Sequence, residues 1–199
     1  MEKLDLYKLN KQDYVAPRRP VLVDIKPAKY LAIAGRGEPG SAVFQARLGA
    51  LYNVAFTIKM AKKRAGQDYA VCKLEGLWWG DNKTDFLNEP RDKWNWKLLI
   101  RAPDFIQNRD LSEAARTLVA RGRSADVSDV KLEFLREGPC VQVLHIGAYD
   151  QETTTIDLML QSAREAGLAF HGLHHEIYLS DPRRVDAARL KTILRHPAH

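Results

Sequence analysis

Gly66-Gln67-Asp68-Tyr69-Ala70-Val71-Cys72-Lys73-Leu74-Glu75-Gly76-Leu77-Trp78-Trp79 and Gly167-Leu168-Ala169-Phe170-His171-Gly172-Leu173-His174-His175-Glu176-Ile177-Tyr178 are two versions of one pattern. In each, a glycine stands nine residues before a glutamate, and the copies are offset by 101 residues. A glycine between a helical and a strand periodicity reads as a helix stop, since it takes up left-handed backbone at no steric cost. Upstream of Gly66, Phe44, Leu48, Leu51, Ala55 and Ile58 recur at three- and four-residue spacing. That is one apolar helix face, and it predicts a helix over 41–65 with Ser41 as its N-cap. Upstream of Gly167, Ile156, Met159, Leu160 and Ala163 predict a shorter helix.

A short apolar strand ending in glycine precedes each helix, over 30–35 and 141–147. The glutamate strands, 69–79 and 170–180, are each followed by another, 94–100 and 190–195. Both copies therefore read β-α-β-β, and internal repetition of this length decides the fold class. The expectation is an α+β protein: a duplicated β-α-β-β with antiparallel sheets, helices on one side and a central ligand cleft between the copies. The chain divides into an N-terminal arm over 1–28, a first repeat over 29–103, a connector over 104–138 and a second repeat over 139–199, all one unit. In the connector, 111–122 reads as a helix capped by Asp110 or Ser112, and 130–135 alternates as an extra strand.

Alternation along a strand assigns faces. In the second copy Leu173, Ile177 and Leu179 share a face with His171 and His175, while His174, Glu176 and Tyr178 share the other. Packing the apolar set on the helices leaves Glu176 and Tyr178 turned away from them. In the first copy Cys72, Leu74, Gly76 and Trp78 form the helix side, and Glu75, Leu77 and Trp79 point away. The two glutamates are thus expected on the same side, near a pseudo-twofold axis. A carboxylate among aromatic rings has a raised pKa or needs a cationic partner, and it can hold a cation or activate water. Glu176, Glu75 and Tyr178 are the acid/base candidates. Trp78, Trp79 and Tyr178 would wall a planar ligand, with Glu176 meeting it.

The 199 residues are 45% hydrophobic and 28% charged, the mixture of a soluble globular protein. No apolar run reaches the roughly 20 residues of a membrane span, and the N-terminus lacks a signal-peptide core, so a cytoplasmic protein is expected. Cys72 and Cys140 have no metal-finger spacing and read as free buried thiols. The net charge of +6 comes from scattered Lys and Arg without a nucleic-acid-binding motif, so nucleic acid is not an expected partner. The turn over 35–40 lacks the lysine of a phosphate loop.

Several segments resemble the stand-alone GyrI-like small-molecule-binding proteins. They are Pro27-Ala28-Lys29-Tyr30-Leu31, Gly35-Arg36-Gly37-Glu38-Pro39, Leu74-Glu75-Gly76-Leu77-Trp78-Trp79, His174-His175-Glu176-Ile177-Tyr178-Leu179-Ser180-Asp181-Pro182-Arg183-Arg184 and Leu190-Lys191-Thr192-Ile193-Leu194-Arg195-His196-Pro197. The resemblance runs from about residue 13 to the C-terminus. It implies the duplicated β-α-β-β fold and a planar aromatic or cationic ligand. Glu176 matches the glutamate that meets cationic drugs in related effector-binding domains. Some similar members are cyclopropanoid cyclopropyl hydrolases, which open the strained ring of DNA-alkylating natural products and so detoxify these xenobiotics. That chemistry requires no metal or organic cofactor. The resemblance leaves a pure binding module for aromatic or cationic drugs as the alternative, and a factor that shields a target such as gyrase as a third reading.

Overall fold

A computed structural model describes residues 3–81 and 86–199. Met1 and Glu2, at the start of the arm, lie outside the described residues. Among the described residues, eight strands form one antiparallel sheet. The first repeat supplies β1 (Val21–Ile25), β2 (Ala28–Arg36), β3 (Leu74–Trp79) and β4 (Asn95–Arg101). The second supplies β5 (Lys131–Leu135), β6 (Gly138–Ile146), β7 (His174–Tyr178) and β8 (Lys191–Pro197). Their order across the sheet is β1-β6-β8-β7-β3-β4-β2-β5. The helices are a single turn, α1 (Leu6–Leu9), then α2 (Ala42–Arg64), α3 (Asn108–Ala120) and α4 (Thr153–Glu165).

Each copy carries one strand more than the repeat reads from sequence, and these leading strands are exchanged. β1 pairs with β6 of the other copy, and β5 pairs with β2. Only two residues, Lys26-Pro27, separate β1 from β2, and only Arg136-Glu137 separate β5 from β6. Those strands stand far apart in the sheet order, so the sheet must curl until its ends approach.

The long helix begins as its sequence dictates. Ser41 accepts from the Phe44 amide over 3.3 Å, and Gly66, at φ 82°, stops the chain beyond Arg64. Gly167 does the same for α4 at φ 71°. α3 starts earlier than its periodicity suggests. Its N-terminus is a capping box in which Asp110 accepts from the Gln107 amide at 2.8 Å, so Asp110 sits inside the first turn and does not itself cap it. α2 packs Leu51, Val54, Ala55 and Ile58 onto Leu31, Ile33, Leu98, Ile100 and Trp96. Trp96 is fully buried over Gly35, where a Cβ would lie 2.1 Å from the indole, so only glycine fits. α4 covers the other half through Ile156, Met159 and Ala163.

The register overturns the expected facing of the second glutamate. Glu75 stands opposite Ile177, and Glu176 stands opposite Gly76. Laying β4 on β8 end to end places Leu99 on Arg195, and their cross-strand partners are Glu75 and His175. The structural counterpart of Glu75 is therefore His175, and that of Glu176 is Gly76. The second copy has one residue fewer between helix stop and strand, and a one-residue slip exchanges the faces of a strand. Glu176 and Tyr178 consequently lie on the helix side, with Trp78. Glu75 and Trp79 lie on the far side.

Candidate functional site

Between the parts of the sheet that α2 and α4 cover, its middle strands collect a cluster of polar groups on this face. β7 contributes His174, Glu176 and Tyr178, β3 contributes Gly76 and Trp78, and β8 contributes Thr192. Tyr178 donates its hydroxyl to Glu176 Oε2 at 2.8 Å and accepts from Trp78 Nε1 at 3.2 Å. Gly76 makes room for this relay, since a Cβ there would stand 3.0 Å from both Trp78 Nε1 and the Tyr178 hydroxyl. His174 Nε2 is 3.7 Å from Glu176 Oε1. Glu152, just before α4, brings a second carboxyl against Glu176 and Thr192.

Aromatic rings surround these groups. Phe86 packs at 4.7 Å on Trp94, 6.5 Å on Trp78 and 5.4 Å on His174. Tyr149 meets the Tyr178 ring edge-on at 5.8 Å. Glu176 keeps 7% of its surface and Glu152 5%. Burial pushes Glu176 up to about 7 against the pull of the Tyr178 hydroxyl. Burial, then the charge of Glu176, holds Glu152 well above the usual carboxylate range. Burial keeps His174 well below the usual imidazole value and so neutral. The Tyr178 hydroxyl is likewise held protonated, by burial and by Glu176.

The opposite face holds a different network, sealed by the N-terminal arm. Glu75 is 1% exposed. It accepts from the Tyr14 hydroxyl at 3.0 Å, and its other oxygen lies 3.0 Å from His175 Nε2, an ion pair off the line of a linear hydrogen bond. His175 Nδ1 is 2.9 Å from Glu137, which also accepts from Arg195 at 3.1 Å. Arg195 reaches on to Gln142 Oε1 at 2.8 Å and to the Asp13 carbonyl at 2.6 Å, while Asp13 pairs with Arg101 at 2.7 Å. Burial of His175 is outweighed by the Glu137 and Glu75 carboxylates, so its pKa rises to about 9. Glu137 falls to about 2 because His175 and Arg195 outweigh its own burial.

The structure thus brings Glu176, Tyr178 and Trp78 together and leaves Glu75 and Trp79 on the other face. Trp79 packs there with Leu77 and Leu99. Sequence reasoning missed Glu152, His174 and Thr192. A glutamate at a helix start ordinarily reads as a charge complementing the helix dipole, and nothing in Glu152-Thr153-Thr154-Thr155 shows that it points inward. A separate groove of about 880 Å³ runs between α3 and β5 over Leu111, Ala115, Val130 and Leu132, away from the carboxyls. Among the described residues no group of three or more His, Cys, Asp and Glu could hold a metal, and no helix is long and apolar enough to cross a membrane.

The model of the GyrI-like small molecule binding domain matches residues 19–197. This chain belongs to the GyrI-like family. An uncharacterised conserved protein from Listeria innocua is 35% identical over 99% of this chain and 100% of its own, with a TM-score of 0.91. A hydrolase from the same organism is 34% identical, with 100% of both chains covered and a TM-score of 0.90. The EcmrR C-terminal domain shares the GyrI-like fold at 12% identity, over 91% of this chain and 97% of its own, with a TM-score of 0.63. No curated protein matches the chain.

Proposed function

We propose that this GyrI-like protein is a cytoplasmic hydrolase that opens the cyclopropane of planar, DNA-alkylating natural products of the yatakemycin and CC-1065 type, and so detoxifies them. The observation that carries this reading is the buried Glu176 carboxyl, held by the Trp78–Tyr178 relay amid aromatic rings and titrating near neutrality. A general base is most useful when its pKa lies near the working pH. The 34% identical Listeria hydrolase supports the same reaction class.

In this reading Trp78, Tyr149 and Phe86 grip the flat ligand, and Glu176 takes a proton from the attacking water. Tyr178 aims the carboxylate. Release of ring strain supplies the driving force, and fixing the strained carbon beside the water supplies proximity. Incubating substoichiometric protein with a cyclopropapyrroloindole of the CC-1065 type should give ring-opened alcohol in excess of protein, read by mass spectrometry. Intact drug after prolonged incubation would overturn the hydrolytic reading.

One observation favours a second reading, a non-catalytic module that sequesters aromatic or cationic drugs. Glu152 and Glu176 face aromatic rings and, among the described residues, neither pairs with a lysine or arginine. A dry carboxyl pair of that kind suits an organic cation. Tight binding with quantitative recovery of unchanged drug would select this alternative.

A further inference from the structure

The surroundings of Glu152 are chemically unusual. Five buried side-chain polar atoms among the described residues make no hydrogen bond within the protein: Asp68 Oδ1, Glu152 Oε1, His174 Nε2, His175 Nε2 and Thr192 Oγ1. Asp68 and His175 each have an ion-pair partner at 3.0 Å, Lys59 and Glu75 respectively. The other three all border one group, the Glu176 carboxyl. His174 precedes it by two residues on the same strand face, Glu152 lies against it, and Thr192 stands across from Tyr178 and beside Glu152. Glu152 approaches Thr192 and Glu176 closely enough to interact with both, yet none of the three atoms has a partner in good hydrogen-bond geometry. An unsatisfied buried polar atom costs about 1–3 kcal/mol, so three beside one carboxyl mark a place that receives a polar guest.

We propose that Glu152 is the second catalytic carboxyl of this site: it shares a single proton with Glu176 and, together with Thr192 and His174, seats the attacking water. The inference rests on the hydrolytic reading above for the identity of the guest. Two carboxyls side by side in a dry setting cannot both ionise, and they titrate as a pair. The groups that face the pair are consistent with one retained proton. His174 is neutral, Tyr149 and Tyr178 are protonated, and Burial with the neighbouring His171 lowers His196 to about 4. Asp181 adds negative charge near Tyr149. The charged His175 acts from behind the sheet and favours ionisation of only the nearer carboxyl, Glu176.

The step balances without a further reagent. The ionised member of the pair takes a proton from water as the water oxygen bonds to the cyclopropane methylene. The bond from that methylene to the spiro carbon breaks, and its electron pair passes through the dienone to its oxygen. The resulting phenolate takes a proton from solvent, and the doubly protonated pair returns one to solvent.

The test separates this inference from the reading it rests on. Infrared spectra of the free protein at pH 8 should show the carbonyl stretch of one protonated carboxyl, lost in Glu152→Gln but kept in Thr192→Val. Turnover of the CC-1065-type probe should fall at least 100-fold in Glu152→Gln and about tenfold in Thr192→Val. Its pH profile should be bell-shaped in the native protein and lose the alkaline limb in Glu152→Gln. No protonated-carboxyl band at pH 8, or full turnover by a folded Glu152→Gln protein, overturns the proposal. A band that Glu152→Gln abolishes, in a protein that leaves the probe intact, supports the shared proton and sinks the hydrolytic reading alone.

Discussion

Tyr178 has one proton, and the geometry commits it. The hydroxyl accepts from Trp78 Nε1 and donates to Glu176 Oε2, so its hydrogen cannot also serve a ligand without releasing the carboxylate. Its role at the residue scale is to orient Glu176 and to favour its ionised form. Phe at position 178 keeps the ring and removes only that donor, whose pull currently lowers the Glu176 pKa. Tyr178→Phe is therefore expected to move the acidic limb of the pH–rate profile upward by about one unit, in keeping with a charge-assisted bond worth about 1.5–3 kcal/mol. Turnover at pH 7 should fall about fivefold, while the alkaline limb of the profile stays where it is in the native protein. An unmoved acidic limb would show that the hydroxyl does not act through Glu176.

At the scale of the element, the two faces of the paired strands β3 and β7 do different work. Glu176 belongs to the polar cluster on the helix side. Glu75 belongs to a closed network that fastens Asp13, Tyr14 and Val15 of the arm to the sheet. Removing one partner of such a buried ionic cluster costs roughly 3–5 kcal/mol because the charges left behind stay dry. Glu75→Gln is expected to lower stability by roughly 3 kcal/mol in denaturant titration and to leave the turnover of the remaining folded protein within a factor of a few. Glu176→Gln should do the reverse, keeping or raising stability while abolishing turnover. Equal losses of activity in both would contradict the separation of faces. The three longer helices, the stops at Gly66 and Gly167, the repeat and the extra strand at Lys131–Leu135 were legible, because each is a local pattern of spacing, cap or turn, whereas the single turn α1 inside the arm was not. The facing of β7 was not. His175 and Ile177 share a face with each other, as the pattern says, but this strand is buried on both sides, so alternation cannot tell which side is the helix side. Nor does any local signal reveal that one residue separates the copies between helix stop and strand, or that Glu152 turns inward.

For the molecule as a whole, these buried groups make folding depend on pH in a direction that can be worked out. His175 has its pKa raised from 6.5 to about 9, so its contribution is fully present below about 6.5 and is lost as pH rises through 9. Glu176 is raised from 4.5 to about 7, so its uncharged form favours the fold below about 4.5 and that advantage fades as pH climbs to 7. Glu137 is lowered from 4.5 to about 2, so its contribution is present above about 4.5 and vanishes as pH falls through 2. The three windows overlap best on the acid side of neutrality. Maximal stability is expected near pH 5, well below the pI of about 9.3. Between pH 6.5 and 9 the His175 contribution alone removes about 3 kcal/mol, on the order of 1.4 kcal/mol per pKa unit. Thermal melts of the native protein at pH 5, 7 and 9 should show a steady fall in midpoint. A His175→Gln protein, less stable at pH 5, should lose most of the slope above pH 7, because the titrating group that links arm, sheet and connector is gone. A flat midpoint from pH 6 to 9 in the native protein would mean that His175 is not held charged between Glu75 and Glu137, and the back-face network would then have to be rebuilt around a neutral imidazole.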